Sequence, residues 1–153
     1  MTPTTIAGKL QIIGLGLQLG LQHDAHEFAR MLLYDMHAAD LEAYGFKDKA
    51  DSRPAQTGVI HSIFGGQTRS QVQCANIQCK FKTNKYDAFL DLSIQIQTTQ
   101  SVVEALKAYT HEEVLDSSNM YTCSQCTSTT CATKRISIHR TPYVLQLHLK
   151  RFE

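Results

Sequence analysis

The five cysteines constrain this chain more than any other feature. They fall in two groups, Cys74 and Cys79, then Cys123, Cys126 and Cys131. Closely spaced cysteines, odd in number and without a secretory leader, favour a metal site over a disulfide framework. The N-terminus lacks a basic n-region and a small-residue cleavage site, so it does not read as a signal peptide. An intracellular, reducing compartment is the expectation. Cys123-x2-Cys126, with Tyr121 ahead of it, has the spacing of a zinc knuckle. Soft thiolates in a tetrahedron suit Zn²⁺ better than any hard cation.

Bulk properties narrow the function. The chain has 153 residues, enough for one domain with a core, and is 42% hydrophobic and 19% charged, which reads as globular. A net charge of +1 creates no field that recruits nucleic acid or a membrane. The longest apolar-leaning run, Ile12 to Leu21, is broken by Gly and Gln. It falls short of the about 20 apolar residues that a spanning helix needs.

Periodicity divides the chain. From Ala25, the apolar residues Phe28, Met31, Leu32 and Met36 recur at three- and four-residue steps, predicting a helix with that face buried. Residues 45–58 carry Gly, Pro and mixed charge, predicting a loop. The period then becomes two. "VIHSIF" and "QTRSQVQ" flank Gly65-Gly66 and predict a hairpin. Phe89 to Ile96 places Leu90, Leu92, Ile94 and Ile96 on one face of a strand. Ser101 with Glu104 forms a capping box for a short helix. "KRISIH" and "YVLQLHLKRF", separated by Thr141-Pro142, predict the last two strands. The sequence stops one residue after Phe152 without a cap or polar tail, and is read as an internal piece of a larger domain.

"LQHDAHEFARML", residues 21–32, crowds two histidines and two carboxylates into one turn. A zinc-protease helix needs His-Glu-x-x-His; here the histidines are three apart and Glu27 follows the second. Capping accounts for more. Asp24 at the N-cap and Glu27 three residues later would accept orphan N–H groups and oppose the positive end of the helix dipole. Capping leaves Gln22 and the histidines unexplained.

These residues carry a resemblance. "GLQHDAHEF", "IFGGQTRSQVQC", "YDAFLDLSIQI", "YTCSQC" and "CATKRISIHRTPYVLQLHLKRF" resemble, in order, successive blocks of the ubiquitin-specific proteases, from about Leu10 onward. The resemblance implies an α+β chain, part of a papain-like fold described as a hand. Residues 1–58 would be helical thumb and loop. Residues 59–140 would be fingers with an intervening strand and helix, and 141–153 a palm strand. It implies ubiquitin and ubiquitinated proteins as partners, no nucleic acid and no membrane, and a location in cytoplasm or nucleus. The parent reaction would be thiol-dependent hydrolysis after the C-terminal glycine of ubiquitin, through an acyl-enzyme. The family nucleophile lies in a Gly-Asn-Thr-Cys-Tyr block and its histidine in a Gly-His-Tyr block, and neither block is in this sequence. No catalytic residue is therefore assigned, and this chain is expected to be inactive alone. By the same resemblance Gln22, Asp24 and Glu27 face the basic ubiquitin tail, which carboxylates suit through charge-assisted hydrogen bonds. His26 matches the histidine of the box and is given no chemistry.

The resemblance also implies a structural zinc on Cys74, Cys79, Cys123 and Cys126. The family's first pair is Cys-x2-Cys, whereas "CANIQC" is Cys-x4-Cys. Counted back from Tyr86-Asp87, Cys79 falls on the second ligand and Asn76 on the first. Cys74 then needs a longer loop, and Cys131 is an alternative fourth ligand. Pairing Cys131 with His139 or His148 as a substitute catalytic couple lacks any recognisable oxyanion donor. Two other readings compete: a ubiquitin-binding protein without catalysis, and a zinc ribbon for nucleic acid. Lys134, Arg135, Arg140, Lys150 and Arg151 are too dispersed to favour the second.

Overall fold

A computed structural model describes residues 4–9, 12, 17, 18, 20–46 and 54–151. Residues 47–53 of the predicted loop, Leu10 and Phe152 lie outside the described residues. The chain divides into two compact units, Met1–Phe64 and Gly65–Glu153.

The first unit is helical: α1 (Thr4–Ala7), α2 (Ala25–Ala43), a 3-10 turn at Pro54–Thr57, and α3 (Val59–Phe64). Asp24 starts α2 from an extended backbone, and its Oδ1 accepts the N–H groups of His26 (2.6 Å) and Glu27 (3.3 Å). The helix ends in a Schellman motif. Gly45, at φ +82°, donates to Glu42 O, and Phe46 donates to Leu41 O. The predicted face of α2 holds at Phe28, Met31 and Leu32, which are half-buried, and departs toward the C-terminal end. Met36 is 47% exposed, whereas His37 and Leu41 are buried and Leu33 is half-buried, four residues apart. The partner decides this: α3 lies against the C-terminal part of α2, with the His37 and His61 rings 6.3 Å apart.

That contact also overturns the predicted hairpin, because "VIHSIF" is helix α3. Asp40 Oδ2 accepts the Val59 N–H at 2.6 Å, capping α3 from the neighbouring helix. A Cβ at Gly58 would meet the same oxygen at 2.6 Å, so glycine permits the approach. Ile60 and His61 are both buried, adjacent positions that a strand would have placed on opposite faces.

The second unit holds three sheets. β1 (Gly66–Cys74), β2 (Lys82–Phe89), β4 (Glu112–Leu115) and β7 (Ala132–Arg140) form an antiparallel sheet in the order β2-β1-β7-β4. The hairpin partner of β1 is β2, reached through the first cysteine group, in a register from Gly66↔Phe89 to Gln73↔Lys82. The Phe89 ring occupies the space a Cβ at Gly66 would need. β1 also pairs with β7, from Gln67↔Arg140 to Cys74↔Ala132, with a register shift between Gln67 and Thr68.

β3 (Asp91–Gln95) and β8 (Gln146–Lys150) form a parallel pair, aligning Leu92 with Leu147 and Ile94 with Leu149. The run predicted as one strand from Phe89 is thus divided at Leu90 between two sheets. Its alternation holds: Leu92 and Ile94 are buried, Leu90 and Ile96 half-buried. Between β3 and β4, α4 (Val102–Tyr109) starts at the predicted box. Ser101 Oγ accepts Glu104 N–H at 3.2 Å, and Glu104 Oε2 accepts Gln100 N–H at 2.9 Å. β5 (Tyr121–Thr122) and β6 (Thr129–Thr130) are a two-rung hairpin around the second cysteine group. Helices and largely antiparallel strands are segregated, so the fold is α+β as expected. Among the described residues no helix is long and apolar enough to cross a membrane.

Candidate functional site

Two knuckles meet at one end of the second unit. Cys74 is the last residue of β1, and its N–H donates to Phe81 O at 3.0 Å. Between them the chain turns on Asn76. Its Oδ1 accepts Gln78 N–H at 3.0 Å, and its carbonyl accepts the N–H groups of Cys79 (3.0 Å) and Lys80 (2.9 Å). Lys80 sits at φ +47°. The second knuckle repeats the device. Cys123 N–H donates to Ser128 O at 3.0 Å, and Thr127 sits at φ +54°. In both, the first cysteine bonds to the carbonyl two residues past the second, and a left-handed residue follows the second cysteine directly. The two extra residues of the first knuckle are absorbed in the Asn76 turn.

The sulfurs converge. Those of Cys74, Cys79, Cys123 and Cys126 all lie within 4.8 Å of one another. Two separations across the knuckles are Cys74 to Cys126 at 3.9 Å and Cys79 to Cys123 at 3.8 Å. A tetrahedron with Zn–S bonds of about 2.3 Å has an S···S edge of about 3.8 Å, so these residues fit the ion. Cys74 and Cys123 are buried, Cys79 and Cys126 half-buried. Cys131 is exposed and outside the cluster; its carbonyl accepts Ala75 N–H at 3.1 Å and ties the knuckle loop to β7. Asn76 is spent on its turn. The structure therefore brings together the four expected cysteines and leaves the alternative, Cys131, outside.

The thiols feel opposite environments. The backbone N–H of Ser128 leads in holding Cys126 down at about 7. Cys74 receives a backbone hydrogen bond at Asn76 that favours its thiolate, yet burial and the crowding sulfurs of Cys123 and Cys126 push it up to about 11. A divalent cation at the centre would supply the positive charge that lets all four ionise.

The acidic turn is part of the first unit. Gln22, Asp24 and Glu27 are all exposed there, and Asp24 performs the capping that its position predicts. The ring of His23 accepts Gln18 N–H at 2.9 Å through Nε2. His148 Nδ1 lies 3.1 Å from Ser93 Oγ, across the parallel pair, and His139 packs edge-on to Tyr86. Sequence reasoning missed the two left-handed positions, because neither Lys nor Thr advertises positive φ. It also singled out neither His37 nor His61, both of which are buried.

The family model described as ubiquitin carboxyl-terminal hydrolase matches residues 1–153. The chain is 36% identical to ubiquitin carboxyl-terminal hydrolase 15 of Arabidopsis thaliana, over 100% of its own length and 16% of that protein's. It is 37% identical to human ubiquitin carboxyl-terminal hydrolase 42, over 98% of its own length and 11% of that protein's. Among solved structures, it matches a chain of the SAGA DUB module of Ubp8, Sgf11, Sus1 and Sgf73 bound to monoubiquitin. There the TM-score is 0.77 and the identity 32%, covering 98% of this chain and 32% of that one. The same module bound to ubiquitin aldehyde gives a TM-score of 0.76 at 29% identity, covering 100% of this chain and 34% of that one. The chain thus spans a small part of the relatives it matches. With a family model matched from end to end, it belongs to the ubiquitin carboxyl-terminal hydrolase family.

Proposed function

We propose that this chain is a portion of a ubiquitin-specific cysteine protease domain, and that its work is to hold ubiquitin while groups outside it cut. The observation that carries this reading is the shared fold, over 98% of the chain, with a module bound to monoubiquitin. In it, residues 1–58 belong to the thumb, 59–140 to the fingers and 141–153 to the palm, in cytoplasm or nucleus. Four of the five cysteines converge and the fifth is exposed; this reading gives none of them the role of nucleophile, because the family's Gly-Asn-Thr-Cys-Tyr block is not in this sequence. The parent reaction is hydrolysis of the bond after ubiquitin's last glycine through an acyl-enzyme.

Gln22, Asp24 and Glu27 form one edge of the tail cleft. The ubiquitin tail is extended and basic, so carboxylates at that edge bind it by charge-assisted hydrogen bonds. In this reading Asp24 has two roles, the second being the cap of α2, where its Oδ1 accepts both N–H donors. Zinc on Cys74, Cys79, Cys123 and Cys126 is structural: four thiolate ligands close the coordination sphere and leave no open position for water.

The test places Asp24→Asn in the full open reading frame that contains this chain. Affinity for intact ubiquitin falls about tenfold, while affinity for ubiquitin lacking its tail is unchanged. Equal loss on both ligands would contradict the tail assignment. A ubiquitin carrying a C-terminal electrophile labels none of the five cysteines; an adduct on Cys131 would overturn the inventory of roles.

A further inference from the structure

The acidic turn is entered through a loop with a construction of its own. Leu17 is buried and anchors it. The chain then reverses: Leu21 N–H donates to Gln18 O at 3.3 Å, and Gly20, third in the turn, takes φ +86°, a position that favours glycine. His23 reaches back five residues and closes the loop, with its Nε2 2.9 Å from Gln18 N and 3.2 Å from Gln18 O. Gln22 and Asp24 are its two neighbours in the chain. We infer that His23 is a positioning residue for ubiquitin-tail binding, a proton-sensitive clasp that sets Gln22 and Asp24 at the cleft edge. The inference rests on the assignment of the tail to Gln22, Asp24 and Glu27.

The clasp holds in one protonation state only. A backbone N–H can only donate, so Nε2 presents its lone pair to Gln18 and the ring carries its proton on Nδ1. A proton added at Nε2 sets two donors against each other across 2.9 Å. The ring is then left with Gln18 O as its partner in the loop, and the turn shifts with it. The neutral ring therefore holds the loop at higher pH, and the hold is lost as pH falls. Around His23 the titratable groups are those of the first turn of α2, namely Asp24, His26 and Glu27. The described loop residues Leu17, Gln18, Gly20 and Leu21 carry none. Asp24 Oδ1 is held by the N–H groups of His26 and Glu27, so that carboxylate stays fixed to α2 while the clasp decides how Gln22 approaches it.

The experiment uses the full open reading frame that contains this chain. Its probes are intact ubiquitin and ubiquitin lacking its tail, bound between about pH 8 and about pH 5, where a histidine changes charge. The ratio of the two affinities, which isolates the tail, falls about fivefold on acidification. His23→Gln places an amide oxygen near the position of Nε2; it keeps the high-pH ratio and flattens the profile. His23→Phe offers no acceptor, and its ratio is about fivefold lower at the high-pH end and does not change with pH. A merely structural role would lower both affinities alike and without this proton dependence. A His23→Phe protein that matches the unmodified one, or a His23→Gln protein that retains the slope, overturns the inference and leaves the tail assignment standing. Equal affinity of the unmodified protein for both probes at every pH overturns the tail assignment, and this inference with it. Hydrogen exchange at the Gln18 amide reads the clasp without ubiquitin: at one neutral pH it is faster in His23→Phe and unchanged in His23→Gln. An unchanged rate in His23→Phe overturns the clasp.

Discussion

The two units are held by different kinds of contact. In the helical unit, side chains bind backbone at helix ends: Asp24 at α2 and Asp40 at α3. In the sheet unit, long-range strand pairing dominates, and two knuckles far apart in sequence bring four sulfurs to one point. The difference teaches where metal matters. β5 and β6 share two residue pairs and bury little besides Cys123, so their own pairing cannot hold the tip. The four-stranded sheet has enough rungs to stand without an ion.

Removing the proposed zinc is the strongest way to break this comparison. Structural zinc in small modules contributes about 10–16 kcal/mol of binding free energy. Cys123→Ser or a strong chelator abolishes zinc stoichiometry and exposes the Cys123 amide to hydrogen exchange, while Cys131→Ser and Asn76→Ala keep the metal. Retained zinc in Cys74→Ser would show that the longer knuckle is not a ligand loop. Next in size is Ile94→Ala, which empties the most buried aliphatic site, between β3 and β8. It lowers stability by about 2–5 kcal/mol in urea titration without loss of zinc.

The helical unit responds less. Asp40→Ala removes the cap that α2 gives α3 and costs about 1–2 kcal/mol, read as faster exchange at the Val59 amide. Were that amide unaffected, the claim that one carboxylate places α3 would fail. Asp24→Ala costs about 1 kcal/mol of α2 stability by the same mechanism in a more exposed setting. Ser101→Ala at α4 has a similar effect, so two caps, one in each unit, calibrate each other.

Helix starts were legible because their signals are local. Asp24 with Glu27 and Ser101 with Glu104 each mark a start within four residues, and the chain obeys both. The alternation of Leu90, Leu92, Ile94 and Ile96 survived for the same reason, since a strand's faces alternate whatever it pairs with. The "VIHSIF" segment misled because six apolar-rich residues satisfy either period, and the arbiter is Asp40, 19 residues upstream.

From residue order alone, the family, the α+β class and the four cysteines that converge could be named, because such chemistry resides in short spacings and residue types. Folding decided what distance in sequence conceals. It made β2 rather than "VIHSIF" the partner of β1, aligned β3 with β8, and placed Cys74 rather than Cys131 in the cysteine cluster. Those choices depend on which groups exclude water together, and that competition is settled only when the whole surface is brought into contact.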